Sequence, residues 1–215
     1  MKVEYLTMSL KDDPHKDELR AAGWHTRGYL PHFDGCAIPQ FVNLHLSDSI
    51  PQKVIERWKR QLSDLPSKEQ QIVLTRRIER YVDQGYGDSV LGNEDVAGMV
   101  QDSLLKGNGV SFKLFSWCVM PNHLHSLITR FEHLELDEIV RLFKSYTAHE
   151  ANRILRRDGD FWMEDYFDRY IRNARHFWNT VRYIENNPVK AGLCQRPADW
   201  QFSSAWFREC GMIPK

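Results

Sequence analysis

The amino-acid sequence predicts an α+β fold: a ferredoxin-like split βαβ sandwich with an antiparallel sheet, a helical insertion and an extra C-terminal helix carrying a tyrosine. Three observations carry this reading. Strand-type alternation recurs at residues 36–46, 110–119, 123–129 and 166–172. Apolar residues at helical spacing fill the intervals between these runs and follow the last of them. The resulting order of strand, helix, strand, strand, helix, strand is that of the split βαβ arrangement.

Taken along the chain, residues 1–26 are polar, mixed in charge and without a clear period, and read as an N-terminal extension. The stretch Arg27-Gly28-Tyr29-Leu30-Pro31-His32 is punctuated by Gly and Pro as loops are. In the first strand Phe41 and Asn43 alternate with Val42, Leu44 and Leu46. Pro51 suits the first turn of a helix over residues 51–62. Residues 66–108 read as two or three helical pieces, broken at Gly85, Gly87, Gly92 and Gly107, inserted before the second strand. Aromatic and β-branched residues predict that strand at 110–119, and Pro121-Asn122 turns it into an antiparallel partner at 123–129. Ile139, Leu142, Phe143, Tyr146, Glu150 and Ile154 keep helical spacing through 136–157. A short strand at 166–172 precedes a last helix from Ala174, which Pro188 is expected to end. The domain is thus expected over 27–206, with a tail at 207–215.

Composition bounds the function. Lys plus Arg number 29 and Asp plus Glu number 29, giving a net charge of zero. That excludes a protein that coats nucleic acid non-specifically through a large basic excess, while leaving room for a local basic groove. With 42% hydrophobic and 12% aromatic residues the chain can bury a core. None of its four cysteines forms a Cys-x-x-Cys pair, which argues against a zinc ribbon or a thioredoxin-type site. The N-terminus lacks a signal-peptide apolar region, and no run reaches the ~18 apolar residues of a membrane span. A cytoplasmic, nucleoid-associated protein with no membrane partner is expected.

His123 and His125 are separated by one residue on a predicted strand. Successive strand side chains alternate faces, so both imidazoles point one way while Leu124 enters the opposite core. Two neutral imidazoles side by side are half of a divalent-metal site, since each offers a nitrogen lone pair. Among the tyrosines, Tyr146 shares a stripe with Ile139, Leu142 and Phe143, which predicts a core residue. Tyr183 falls nearly opposite Phe177, Trp178, Val181 and Ile184, among Asn179, Asn186 and Asn187. That position predicts a tyrosine free to meet a substrate.

The run WCVMPNHLHSLIT at residues 117–129 resembles the histidine–hydrophobic–histidine signature of single-tyrosine HUH transposases, most of all the REP-associated tyrosine transposases. RGYLPH at 27–32, FVNLHLSDSIP at 41–51 and YIENNPVKAGL at 183–193 are similar to stretches of the same family. The resemblance runs from about residue 27 to residue 206. It implies that His123 and His125 bind a divalent cation, Mg2+ or Mn2+, and that Tyr183 is the catalytic nucleophile. The tyrosine would attack a phosphodiester of single-stranded DNA, leaving a 5′-phosphotyrosine and a free 3′-hydroxyl for later rejoining. Asn187 stands one turn after Tyr183, where the wider group often has glutamine; it either ligates the cation or orients a water on it. Its position also suits a helix cap.

The implied substrate is an imperfect palindrome folded as a single-stranded hairpin, bound by a monomer or a homodimer. Candidate DNA contacts are Arg27, His32, Lys144, Arg169, Arg172 and Arg182, with Arg141 and Arg153 as further cations and Trp162, Trp200 and Trp206 as stacking candidates. Two rivals stand beside a transposase. One is a domesticated hairpin-DNA-binding protein without transposition activity. The other is a ferredoxin-like RNA-binding protein, against which the strands carry no RNP-type aromatic motif.

Overall fold

The structure is a computed structural model that describes residues 24–27, 30–33, 37–87 and 89–212. Strands β1 (Trp24–Arg27) and β2 (Leu30–Phe33) pair antiparallel as a separate two-stranded sheet. The Gly- and Pro-punctuated stretch read as a loop is therefore a hairpin, because Gly28 and Tyr29 separate two extended runs closely enough for pairing. Strand β3 (Gln40–His45) enters the main sheet, followed by α1 (Gln52–Gln61), α2 (Ser67–Val82) and α3 (Glu94–Gly107). Then come β4 (Phe112–Met120), β5 (His123–Arg130), α4 (Leu136–Leu155), β6 (Phe167–Tyr170), α5 (Ala174–Lys190) and α6 (Ser204–Glu209).

The main sheet has the order β4-β5-β3-β6, and all its neighbouring strands are antiparallel. With strands counted within the sheet this is the ferredoxin-like split βαβ order, so the predicted fold class holds. The connection from β3 to β4 and the connection from β5 to β6 each cross over between strands that are not neighbours.

Two cores follow from the alternation of side chains. On one face Val42, Leu44, Trp117, Val119, Leu124 and Ile128 meet α3 and α4 through Val96, Val100, Leu136 and Ile139. On the other, Phe41, Cys118, Met120 and Leu127 meet α5 through Phe177, Val181 and Ile184. A bulge in β4 between Leu114 and Ser116 makes this possible. It shifts the parity of the strand, so that Phe112 and Leu114 lie in the same core as Trp117 and Val119.

The helices divide differently from the sequence reading. Helix α3 falls inside the segment read as an insertion, yet its Val96, Ala97, Val100 and Leu104 are core residues, at the i, i+4 spacing of a buried face. Its start is capped by Asn93, whose side chain accepts from the amides of Asp95 and Val96. The helices that stand on their own core are α1 and α2, joined through Ile55, Leu62, Leu74, Ile78 and Val82. Helix α5 also continues through Pro188 to Lys190 instead of stopping at the proline. The ring removes only the donor that would reach one preceding carbonyl, a local loss that packing of a buried helix offsets. In α4 the buried stripe runs through Leu136, Ile139, Val140, Thr147 and Ala151, leaving Leu142 and Tyr146 each 51% exposed. Tyr146 is thus a surface residue and not the core residue its spacing suggested.

Leu124 is 1% exposed and sits between the two histidines with its side chain in the opposite core. Leu124→Ala should cost about 2–5 kcal/mol in urea unfolding, the range for emptying a packed core position. A loss below about 1 kcal/mol would contradict this placement of the strand's faces.

Candidate active site

Strand register assembles the site. Across β3 and β5, Asn43 is paired with His125 and His45 with His123; across β4 and β5, Cys118 is paired with His125 and Met120 with His123. All these side chains point to the α5 face. The two-residue turn at Pro121 and Asn122 starts β5 directly at His123. His123 and His125 are 1% and 0% exposed, and their Nε2 atoms face each other at 2.9 Å.

Asn122 fixes the state of His123. Its Nδ2 donates to the carbonyls of Val82 and Tyr86, both at 3.0 Å, so its Oδ1 is left to accept. That oxygen lies 2.7 Å from His123 Nδ1. Nδ1 therefore carries the proton, and Nε2 presents a lone pair to His125. His125 Nδ1 is buried without a hydrogen-bond partner, as are both polar atoms of its cross-strand neighbour Asn43.

The same carbonyl contacts bring in Asp83, the residue after α2. Asp83 Oδ1 lies 3.8 Å from His123 Nε2, and Asp83 Oδ2 accepts from the Tyr183 hydroxyl at 3.4 Å. One ligand atom each from Asp83, His123 and His125 fall within 4.8 Å of one another. This donor set suits a divalent cation: at metal–nitrogen distances of about 2.1 Å, adjacent imidazole nitrogens stand about 3 Å apart. Gly87, four residues after Asp83, lies close against the backbone of Ser49. Its φ is +91°, and a Cβ there would come within 2.7 Å of the Ser49 Cα.

Helix α5 lays Tyr183 against this cluster. The ring packs edge-on to His125 with centroids 5.4 Å apart and to Phe41 at 5.9 Å, and Lys190 Nζ lies 4.7 Å from its centre. Asn187 is buried, and its Nδ2 donates to the Tyr183 carbonyl at 3.3 Å. The helix is rotated from the sequence reading: Tyr183 flanks the buried face with Thr180 and Asn187, while Trp178 is 52% exposed. The predicted apolar cluster placed Trp178 inside and Tyr183 opposite it. The sheet face it meets is itself polar at the histidines, so a tyrosine fits there better than an indole.

Electrostatics follow from burial. His123 is held well below the usual histidine range by burial and by its histidine neighbours. Burial lowers His125 to about 3 and His45, which is on the same face, to about 4. Burial raises the Asp83 carboxyl, opposed by the Tyr183 hydrogen bond and by Lys190, and raises Glu79 to about 7. Burial also pushes the Tyr183 phenol up, with Asp83 and Glu79 adding to it and the Asn187 side chain opposing. Two neutral imidazoles beside carboxylates and a disfavoured phenolate form a site that gains from a cation.

Of the other expected residues, Arg182 lines a groove of about 450 Å3 with Asn179, Tyr183, Asn186, Val189 and Lys190. Arg169 is paired with Phe41 across β3 and β6 and so emerges on the face of the histidines. Arg172 is exposed at the entry to α5. Arg27 and His32 lie in the β1–β2 hairpin, whose side chains fall outside the described residues. Lys144 is engaged elsewhere, donating to the carbonyls of Met163 and Glu164 at 2.6 and 2.7 Å. Trp162 is buried and donates to Thr147, and Trp200 donates to the Val119 carbonyl, so both indoles serve packing. Asp83, Asn122, His45 and Lys190 were not singled out by sequence. Asn122, His45 and Lys190 lie inside the quoted motifs, while Asp83 lies outside them.

Part of the chain is similar to a known transposase family. Residues 90–187, which hold α3, β4, β5, α4, β6, both histidines and most of the tyrosine helix, match the family described as "Transposase IS200 like". The chain is also similar to REP-associated tyrosine transposases, the family its motifs resemble. The chain is 27% identical over 103 residues to a putative REP-associated tyrosine transposase of Haemophilus influenzae, and 29% identical over 94 residues to a REP-associated tyrosine transposase of Escherichia coli. Each match covers 43% of this chain, and 58% and 54% of those relatives respectively. A solved structure of a REP-associated tyrosine transposase bound to a REP hairpin aligns with a TM-score of 0.48 at 17% identity, over 88% of this chain and 87% of that one. Among the described residues, no helix is long and apolar enough to cross a membrane.

Buried histidines give a signed pH dependence. A histidine lowered on folding is protonated more readily in the unfolded chain, so its stabilisation is complete above the unfolded value of 6.5 and is lost as pH falls. For His45 the loss continues down to about 4, at about 1.4 kcal/mol per pH unit. Glu79, raised from 4.5 to about 7, acts in the opposite sense over that interval, so a variant comparison is needed. Unfolding free energy measured from pH 6 to 4.5 should fall less steeply in His45→Leu than in the unaltered chain, by about 1.4 kcal/mol per unit. Equal slopes would refute the buried neutral histidine.

Proposed function

We propose that this chain nicks and rejoins single-stranded DNA through a covalent 5′-phosphotyrosine link at Tyr183, with His123 and His125 holding a divalent cation, Mg2+ or Mn2+. The observation that carries the reading is the Tyr183 ring packed on His125, beside two histidine Nε2 atoms 2.9 Å apart. A bound cation would neutralise charge gathering on the phosphoryl oxygens and on the leaving 3′ oxygen. The protein's residues supply the rest. Tyr183 Oη forms a bond to phosphorus as the phosphorus–O3′ bond breaks, and its proton leaves along the hydrogen bond to Asp83. The departing 3′ oxygen takes a proton to become the free hydroxyl. Rejoining runs the same exchange in reverse, because the phosphotyrosine keeps the phosphodiester energy.

The groove along α5 is the proposed path of the unpaired strand. Arg182 and Lys190 give it positive charge, Asn179 and Asn186 give it amide donors, and Tyr183 lies in its wall. Exposed Trp178 stands four residues before Arg182 on the same helix face, where it can stack on a base. Arg169, on the histidine face of the sheet, and exposed Arg172 are further candidate phosphate contacts, while Lys144 is left out because its ammonium is occupied. A hairpin of single-stranded DNA is the substrate class that the family resemblance implies.

Incubation with labelled single-stranded hairpin DNA and Mn2+, followed by denaturing electrophoresis, should give a covalent protein–DNA adduct. Tyr183→Phe and chelation of the metal should each abolish it, and His125→Ala should slow its formation by at least about 100-fold. Tyr146→Phe should leave it intact. An adduct that survives Tyr183→Phe would overturn the assignment.

A further inference from the structure

The histidine pair supplies two neutral nitrogens, and the expected third ligand was the Asn187 amide. The geometry points to a different group: we propose that Asp83, at the end of α2, is the third protein ligand of the cation, and that Asn187 serves Tyr183 instead. This rests on the reading that His123 and His125 hold a divalent ion.

Three observations support Asp83. Its Oδ1 is buried and has no hydrogen-bond partner, yet lies 3.8 Å from His123 Nε2. An unpaired carboxylate oxygen in that position is costly unless something positive shares it. Second, the two oxygens of Asp83 are divided, Oδ1 toward the histidines and Oδ2 toward the Tyr183 hydroxyl. The carboxylate therefore links the ion position to the nucleophile. Third, Mg2+ and Mn2+ are hard ions that favour anionic oxygen, which neither imidazole nor amide provides. Asn187 meanwhile donates through Nδ2 to the Tyr183 carbonyl on its own helix, and its amide oxygen carries no charge to match an ion.

The position of Asp83 is built in. Asn122 donates to the carbonyls of Val82 and Tyr86, which bracket Asp83 on both sides. The same side chain sets the His123 tautomer. One asparagine in the β4–β5 turn thus fixes two ligands from separate parts of the chain. The α1–α2 unit, which has its own core, contributes to the site through this residue alone among the donors of the cluster.

The test is Mn2+ affinity of the full chain without DNA, followed by the loss of the free-ion electron paramagnetic resonance signal. Asp83→Asn should weaken binding at least about tenfold, and Asn187→Ala by less than about threefold. Circular dichroism of each variant checks folding. Asp83→Cys provides a second route: a thiolate ligand should raise the ratio of Cd2+ to Mn2+ affinity by at least about tenfold over the unaltered chain. The assignment is overturned if Asp83→Asn weakens binding less than Asn187→Ala does, or if the Cd2+ preference does not change in Asp83→Cys. An unaltered chain that binds no Mn2+ would instead remove the cation site itself, a distinguishable result.

Discussion

Two buried imidazole nitrogens held 2.9 Å apart set the terms for everything around them. Asn122 makes His123 Nε2 an acceptor, so without a cation His125 must point an Nε2–H at it. That tautomer leaves His125 Nδ1 as a buried acceptor with no partner. If His125 Nε2 gave its lone pair to an ion, the ring proton would sit on Nδ1, and the amide of the cross-strand neighbour Asn43 is likewise unpartnered. The arrangement thus leaves a buried acceptor unsatisfied in the absence of a cation. Burial keeps both rings neutral, which preserves the lone pairs that binding a metal ion requires.

The fold serves this constraint through register. The two-residue turn after β4 begins β5 on His123, and antiparallel pairing with β3 brings His45 and Asn43 to the same face. The β4 bulge keeps Phe112 and Leu114 on the opposite, largely apolar face under α3 and α4. Helix α5 then closes over the histidine face with Phe177, Val181 and Ile184 as its packing contacts and Tyr183 at their margin. Glu185 anchors the far side of that helix, accepting from Ser204 Oγ at 2.6 Å and from Arg208. Tyr183 is thereby carried on a rigid element whose position is fixed at several points along its length.

Much of this was legible in the sequence, and the reasons are local. Strand alternation and the Pro121-Asn122 turn placed His123 and His125 on one face with Leu124 opposite, as found. The order of elements gave the fold class. Helix orientation was harder to read. In α5 the mean of the apolar residues put Trp178 inside and Tyr183 outside, because hydropathy cannot register a buried face that is polar where it meets histidines. In α4 Leu142 and Tyr146 satisfied helical spacing as well as the true core stripe did. The role of α3 was hidden because glycines at both ends made it look like part of a long insertion. Asp83 had no local signal: it lies 100 residues from Tyr183, and only the Asn122 contacts bring it to the site.

Anomalous diffraction from crystals grown with saturating Mn2+ tests whether the histidine face of the sheet is a cation site beside Tyr183. One strong anomalous peak is expected in contact with the Nε2 atoms of both His123 and His125, on the side of Asp83 and Tyr183. A histidine pair that remains in direct contact with no peak between the two rings, or Mn2+ bound only elsewhere, would contradict it.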